Sequence, residues 1–167
     1  MEQLKKRKTI RLNGADYNGE GAYFLTICTQ NRKCSLSRIV DDSHVELLRY
    51  GKIAQKNIEQ LNAFYKDITV ESYVIMPNHI HLMLSLHPNA DTDGPSGTPV
   101  PTIQNSVISR FVSTFKRFCN KECGKNIWQA RFYDHIIRNQ KDYEQHINYI
   151  YENPMRWCFD EMYCEDL

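Results

Sequence analysis

Residues 74–84 read VIMPNHIHLML. With its flanks the stretch becomes two runs, DITVESYVIM (67–76) and HIHLMLSL (79–86), joined by Pro77-Asn78. Two runs rich in β-branched and apolar residues around turn chemistry are the signature of a hairpin. Side chains alternate between the faces of a strand. In the second run Ile80, Leu82, Leu84 and Leu86 therefore share a core face, and His79, His81, Met83 and Ser85 share the other. The two imidazoles stand about 7 Å apart at their roots, at roughly 3.3 Å of rise per residue, and both can lean onto one ion.

Working outward, AYFLTICTQ (22–30) predicts an earlier strand, and residues 45–65 predict a helix, with Leu48, Ile53, Ile58, Leu61 and Tyr65 at helical spacing. PNADTDGPSGTPVP (88–101) has no apolar cluster to bury and is expected to be a long mobile loop. Residues 102–121 predict an amphipathic helix whose stripe is Ile108, Phe111, Val112, Phe115, Phe118 and Cys119. Residues 128–138 suggest a fourth strand and 142–152 a last helix. The order β-α-β-β-α-β plus a terminal helix is that of an α+β, ferredoxin-like split βαβ sandwich. Its antiparallel sheet would carry the histidine pair on a central strand. Residues 1–167 are expected to form a single domain, with a basic arm at 1–12.

Composition narrows the class. No apolar run approaches the ~20 residues of a membrane span, so no membrane partner is expected. The basic start has no hydrophobic segment behind it, and the expected address is the cytoplasm. The six cysteines, Cys28, Cys34, Cys119, Cys123, Cys158 and Cys164, contain no C-x-x-C spacing and are read as reduced thiols. Cys119 and Cys123, one helical turn apart, could supply half a metal site. Net charge is +1, which argues against indiscriminate coating of nucleic acid, but the charge is unevenly placed. Residues 106–141 hold eight Lys/Arg against two acids, and residues 142–167 hold seven acids against Arg156 alone. A solvated helix face and a frayed end would give the same pattern.

A histidine on a strand is ordinarily a hydrogen-bonded member of a packed sheet. An x-H-x-H pair in an apolar strand points instead to a ligand or catalytic role, and two neutral imidazoles make an open metal site. Histidine-triad hydrolases need a third histidine where Met83 stands, and two-histidine phosphoesterases need two separate H-x-[ST] motifs that are absent here. His79-Ile80-His81 does fit the HUH pattern of His, bulky hydrophobic, His.

Nucleases of that pattern use a tyrosine, and the chain has ten. In the last helix Tyr143, Ile147, Ile150 and Tyr151 fall within roughly 100° of arc and form the expected buried stripe. Tyr149 lies about 140° from its middle, and Asn153 joins it one turn later. A phenol and an amide then project together, away from the helix's own core contacts. An exposed tyrosine, with an asparagine ending the helix before Pro154, is the plainer reading of the same residues.

Taken together, MPNHIHLML (76–84) and NIWQARFYDHIIRNQKDYEQHINYIYENPMRW (126–157) resemble the single-tyrosine HUH transposases, most nearly the branch called REP-associated tyrosine transposases. The resemblance runs from the first strand to about Trp157. It implies that His79 and His81 bind a metal, that Asn153 is the polar third ligand and that Tyr149 is the nucleophile. It also implies Mg²⁺ or Mn²⁺, a 5′-phosphotyrosine intermediate and a single-stranded or hairpin DNA substrate, whereas ligand chemistry alone would suggest zinc, nickel or manganese. Trp128, Phe132, Tyr133, His135 and Arg138 belong to a recurrent stretch of that family. The acidic ending departs from members with a longer basic tail.

The expected activity is that of a metal-dependent single-stranded DNA endonuclease and strand-transferase. Arg110, Arg117 and Lys121 are the expected DNA contacts, with Lys116, Lys125, Arg131 and Arg138 as wider candidates and Trp128, Phe132 and Tyr133 as stacking platforms or core. A homodimer is left open. The rival readings are a domesticated HUH module that binds structured DNA without cutting, and a small metal-dependent phosphoesterase.

Overall fold

The alternation in residues 79–86 is realised at the centre of an antiparallel sheet. The computed structural model describes residues 21–41, 44–87 and 107–164. The basic arm at 1–12 and the expected loop at 88–101 lie outside the described residues. The elements run β1 (Gly21–Cys28), β2 (Ser37–Asp41), β3 (His44–Leu47), α1 (Arg49–Phe64), β4 (Ile68–Ile75), β5 (His79–Leu86), α2 (Val107–Cys123), β6 (Tyr133–Ile136) and α3 (Gln140–Glu152). The sheet order is β4-β5-β1-β6, with every neighbouring pair antiparallel. Each βαβ unit is split by a strand of the other, which is the expected ferredoxin-like α+β plan. Among the described residues no helix is long and apolar enough to cross a membrane.

One face of the sheet carries the main core. Tyr23, Leu25 and Ile27 of β1 and Ile80, Leu82 and Leu84 of β5 meet Ile58 and Leu61 of α1 and Phe111, Phe115 and Cys119 of α2. Phe118, placed by the sequence in the α2 stripe, is 39% exposed and sits at its margin, with the Arg117 guanidinium 5.3 Å over its ring. The opposite face bears Phe24, Met83 and both histidines, and α3 covers it through Ile150, Tyr143 and Ile147.

Two expectations about elements change. The first helix starts at Arg49, not 45, because Val45 and Leu47 pair with Ile39 and Ser37 in a β2–β3 hairpin. Four residues alternating exposed and half-buried carry strand period, which the longer helical run masked. Gly51 then lets α1 pass the β2 approach, since a Cβ there would collide with the Leu36 carbonyl oxygen. The fourth strand is shortened to Tyr133–Ile136, and Trp128 makes only an isolated bridge with Thr29. The Lys116 ammonium takes the carbonyls of Gln129, Ala130 and Arg131 at 2.8, 3.3 and 3.1 Å, so those acceptors turn to a side chain instead of a ladder.

Candidate active site

β5 and β1 together build the floor. His81 is paired with Thr26 and His79 with Cys28, so those side chains share the face under α3. Both histidines are buried, His79 at 0% and His81 at 2% exposure, and their ring centroids are 4.5 Å apart. His79 Nδ1 lies 2.8 Å from Asn78 Oδ1. An amide oxygen only accepts, so Nδ1 holds the hydrogen and Nε2 the lone pair. His81 Nδ1 lies 2.9 Å from Thr26 Oγ1. The Nε2 atoms of both rings are buried with no hydrogen-bond partner among the described residues. Burial pushes His79 down to about 3, with Arg32 adding to it. Burial, then the neighbouring His79, holds His81 well below the usual histidine range. Both rings are therefore neutral near pH 7, the form that binds cations.

α3 is capped by Asn139, whose side chain accepts from the Asp142 amide. Its contact sector is rotated from the expected one. Tyr151 is 71% exposed, while His146 and Asn153 turn inward with Ile150. Sheet contact, not apolar count, selects the face: Phe24 receives His146 at 4.7 Å between ring centroids. Tyr149 and Asn153 do project together, but toward the sheet that the helix packs on and not away from its core contacts. The Tyr149 ring, 37% exposed, stands 5.2 Å from the His81 ring and 6.0 Å from Phe24. Burial, then the Asp160 carboxylate, raises the Tyr149 hydroxyl above its usual range, and a hydrogen bond from the Asn153 side chain works the other way. Asn153 Oδ1 is buried without a partner among the described residues.

The chain after α3 closes one side. Trp157 packs 6.0 Å from the His79 ring. Asn78, to which the sequence assigned no role, also donates from Nδ2 to the Met162 carbonyl at 2.7 Å, so it ties His79 to this segment. Cys164 forms a disulfide with Cys34, which corrects the reading of six reduced thiols. Cys28, Cys119 and Cys123 are buried thiols and Cys158 an exposed one. Burial, then Cys123, pushes the Cys119 thiol strongly upward, so this pair offers a metal no ready thiolate. A pocket of about 390 Å³ remains open beside the histidines, lined by Phe24, Thr26, His81, Gln145, His146, Tyr149 and Met162.

Among the described residues, two groups on this face have metal-ligand chemistry. His79 Nε2, His81 Nε2 and Asn153 Oδ1 are buried without partners among the described residues, a costly condition that a cation would relieve. His81 Nε2 offers its lone pair in the tautomer whose Nδ1 donates to Thr26 Oγ1. The donor set fits a divalent ion. His135, Asp142 and His146 also bring ligand atoms within 4.8 Å of one another, but both imidazoles already bond the Asp142 carboxylate.

The basic residues scatter over the molecule. Arg110, Arg117 and Lys121 are exposed on α2, the layer on the far side of the sheet from Tyr149. Lys116 is engaged with the 129–131 carbonyls, and Lys125 lies 5.2 Å over the Tyr50 ring in that same distant layer. Arg131 and Arg138 are exposed at the two ends of β6. Charge counted along a chain does not say which layer carries it. The sequence reading missed Thr26, Phe24, Asp142 and His146; only the even spacing of Phe24 and Thr26 along β1 signalled a shared face.

The chain is similar to several known proteins. Residues 18–153 match the family model described as "Transposase IS200 like". A REP-associated tyrosine transposase of Escherichia coli (strain K12) is 32% identical over 81% of this chain and 67% of its own length. A putative REP-associated tyrosine transposase of Haemophilus influenzae is 30% identical over 88% of this chain and 77% of that one. Among solved structures, a REP-associated tyrosine transposase bound to a REP hairpin superposes with a TM-score of 0.60 at 26% identity, covering 87% of this chain and 74% of that one. The chain belongs to the IS200-like transposase family, as a transposase of the REP-associated tyrosine type.

Proposed function

We propose that this transposase is a metal-dependent single-stranded DNA endonuclease and strand-transferase that cuts beside hairpin DNA through a 5′-phosphotyrosine on Tyr149, residues 1–167 acting as one HUH domain. The observation that carries this reading is a set of three buried atoms with no partner among the described residues, His79 Nε2, His81 Nε2 and Asn153 Oδ1, next to a phenol. Bound by those three residues, Mg²⁺ or Mn²⁺ would withdraw charge from the scissile phosphate and orient it.

The rest falls to the chain's own residues. Asn78 and Thr26 hold the two imidazoles by their Nδ1 atoms. Tyr149 attacks phosphorus, and the 3′ oxygen departs to become a free hydroxyl. The phosphotyrosine keeps the phosphodiester's energy, so a later 3′-hydroxyl can displace Tyr149 and join strands without ATP. A tyrosine and a histidine of one chain 5.2 Å apart favour action in cis, so a homodimer, where it forms, need not exchange tyrosines.

The relative solved with a REP hairpin supports a hairpin DNA partner. Arg131 and Arg138 are the proposed contacts nearest the site, while Arg110, Arg117, Lys121 and Lys125 would act only on DNA that wraps to the opposite layer. Lys116 would act indirectly, by holding the Arg131 loop.

The test is intact-mass detection of a protein–DNA adduct with hairpin-bearing oligonucleotides and Mn²⁺. Tyr149→Phe should abolish the adduct and leave DNA affinity unchanged. Joint His79→Ala and His81→Ala changes should abolish cleavage together with its metal dependence. An adduct that survives Tyr149→Phe would overturn the assignment.

A further inference from the structure

The His135–Asp142–His146 cluster differs from the histidine pair in what its nitrogens do. His135 Nε2 lies 2.9 Å from Asp142 Oδ2, and His146 Nδ1 lies 3.1 Å from Asp142 Oδ1 and 2.8 Å from the Asp142 carbonyl oxygen. The two rings are stacked, with centroids 4.6 Å and planes 17° apart. An ion is held in the plane of each imidazole that binds it, and planes so nearly parallel do not converge on one ion between the rings. The cluster is a carboxylate bridging two imidazoles. Burial opposes the charge on Asp142, but the Arg138 amide and His135 hold its carboxyl below the usual range.

Asp142 thereby selects the tautomer of His146. The carboxylate and the backbone carbonyl only accept, so Nδ1 of His146 carries the hydrogen and Nε2 keeps a lone pair. That nitrogen has no partner among the described residues. His146 precedes Tyr149 by three residues, which makes them neighbours on the helix surface. Both rings pack on Phe24, at 4.7 and 6.0 Å, and both line the same pocket.

We propose that His146 is a catalytic residue, the proton acceptor for Tyr149, with Asp142 and His135 as its positioning residues. The inference rests on Tyr149 being the nucleophile. In cleavage the phenolic proton passes to His146 Nε2 as the phenolic oxygen bonds to phosphorus. The bond from phosphorus to the 3′ oxygen breaks, its electron pair stays with that oxygen, and water supplies the proton of the new hydroxyl. In strand joining the attacking 3′-hydroxyl gives its proton to water, and His146 returns its own to the departing phenolic oxygen. The titratable groups around His146 are Asp142 and Tyr149 on α3, His135 from β6 and His81 from β5. Asp160 and Glu161 of the C-terminal segment act on Tyr149.

The experiment follows single-turnover adduct formation by the protein across pH, using Mn²⁺ and a panel of single-stranded oligonucleotides that each carry one hairpin. His146→Ala should slow the adduct ~10²-fold near neutrality, with DNA affinity and unfolding temperature unchanged. It should also lose the acid limb of the wild-type profile and regain rate on addition of free imidazole. Asp142→Asn should shift that limb. Should His146→Ala unfold, His146→Asn carries the same test. A variant that reacts at the wild-type rate, or one slowed equally at every pH and deaf to imidazole, overturns the inference alone. A wild-type protein that forms no adduct overturns the transferase reading and this inference with it.

Discussion

Asn78 holds His79 from behind: its Oδ1 accepts the Nδ1 hydrogen at 2.8 Å, while its Nδ2 donates to the Met162 carbonyl at 2.7 Å. One amide thus sets a ring's tautomer and is itself held by a segment 84 residues away. Outer contacts of this kind orient a ligand and raise its basicity.

Asn78→Ala should therefore weaken Mn²⁺ binding by roughly 10–100-fold while leaving the fold intact. Calorimetric titration of the variant against wild type checks this. An unchanged affinity would mean that packing alone orients His79.

Acid should destabilise the metal-free protein in a defined window. His79 is neutral in the fold down to about 3, against 6.5 for the free side chain, so the unfolded chain binds the extra proton between those values. Stability is thus full above about pH 6.5 and falls as pH drops toward 3, by at most about 1.4 kcal/mol per pH unit for one such histidine. His81, shifted in the same direction, adds to the slope. Unfolding in EDTA between pH 7 and 4 should show a shallower decline for His79→Gln than for wild type.

Gly51→Ala tests the missed hairpin. The added methyl meets the Leu36 carbonyl and not a yielding side chain. A loss of about 1–3 kcal/mol in denaturant unfolding is expected, with Mn²⁺ affinity unchanged. Full wild-type stability would mean that β2 and α1 part freely at this point.

Alkylation of the native protein should modify Cys158 first, because it is the exposed thiol. Cys34 and Cys164 should be modified only after reduction. Mass mapping before and after reductant reads this, and early labelling of Cys34 would contradict the pairing.

Local pattern carried much of this protein. Period-two alternation after Pro77-Asn78 determined the strand and put His79 and His81 on one face, because adjacent side chains of a strand must diverge. Helical spacing marked α2 and its core stripe, and the order of elements specified the α+β plan. What tertiary structure alone decided depends on contacts distant in sequence. Thr26 meets His81 across 55 residues, and β1 supplies the Phe24 ring that turns His146 and Asn153 inward in place of Tyr151. The placement of Arg110, Arg117 and Lys121 in the layer away from Tyr149 is of the same kind. A periodic pattern says how wide the buried face of a helix is, but the surface packed against it determines which way that face turns.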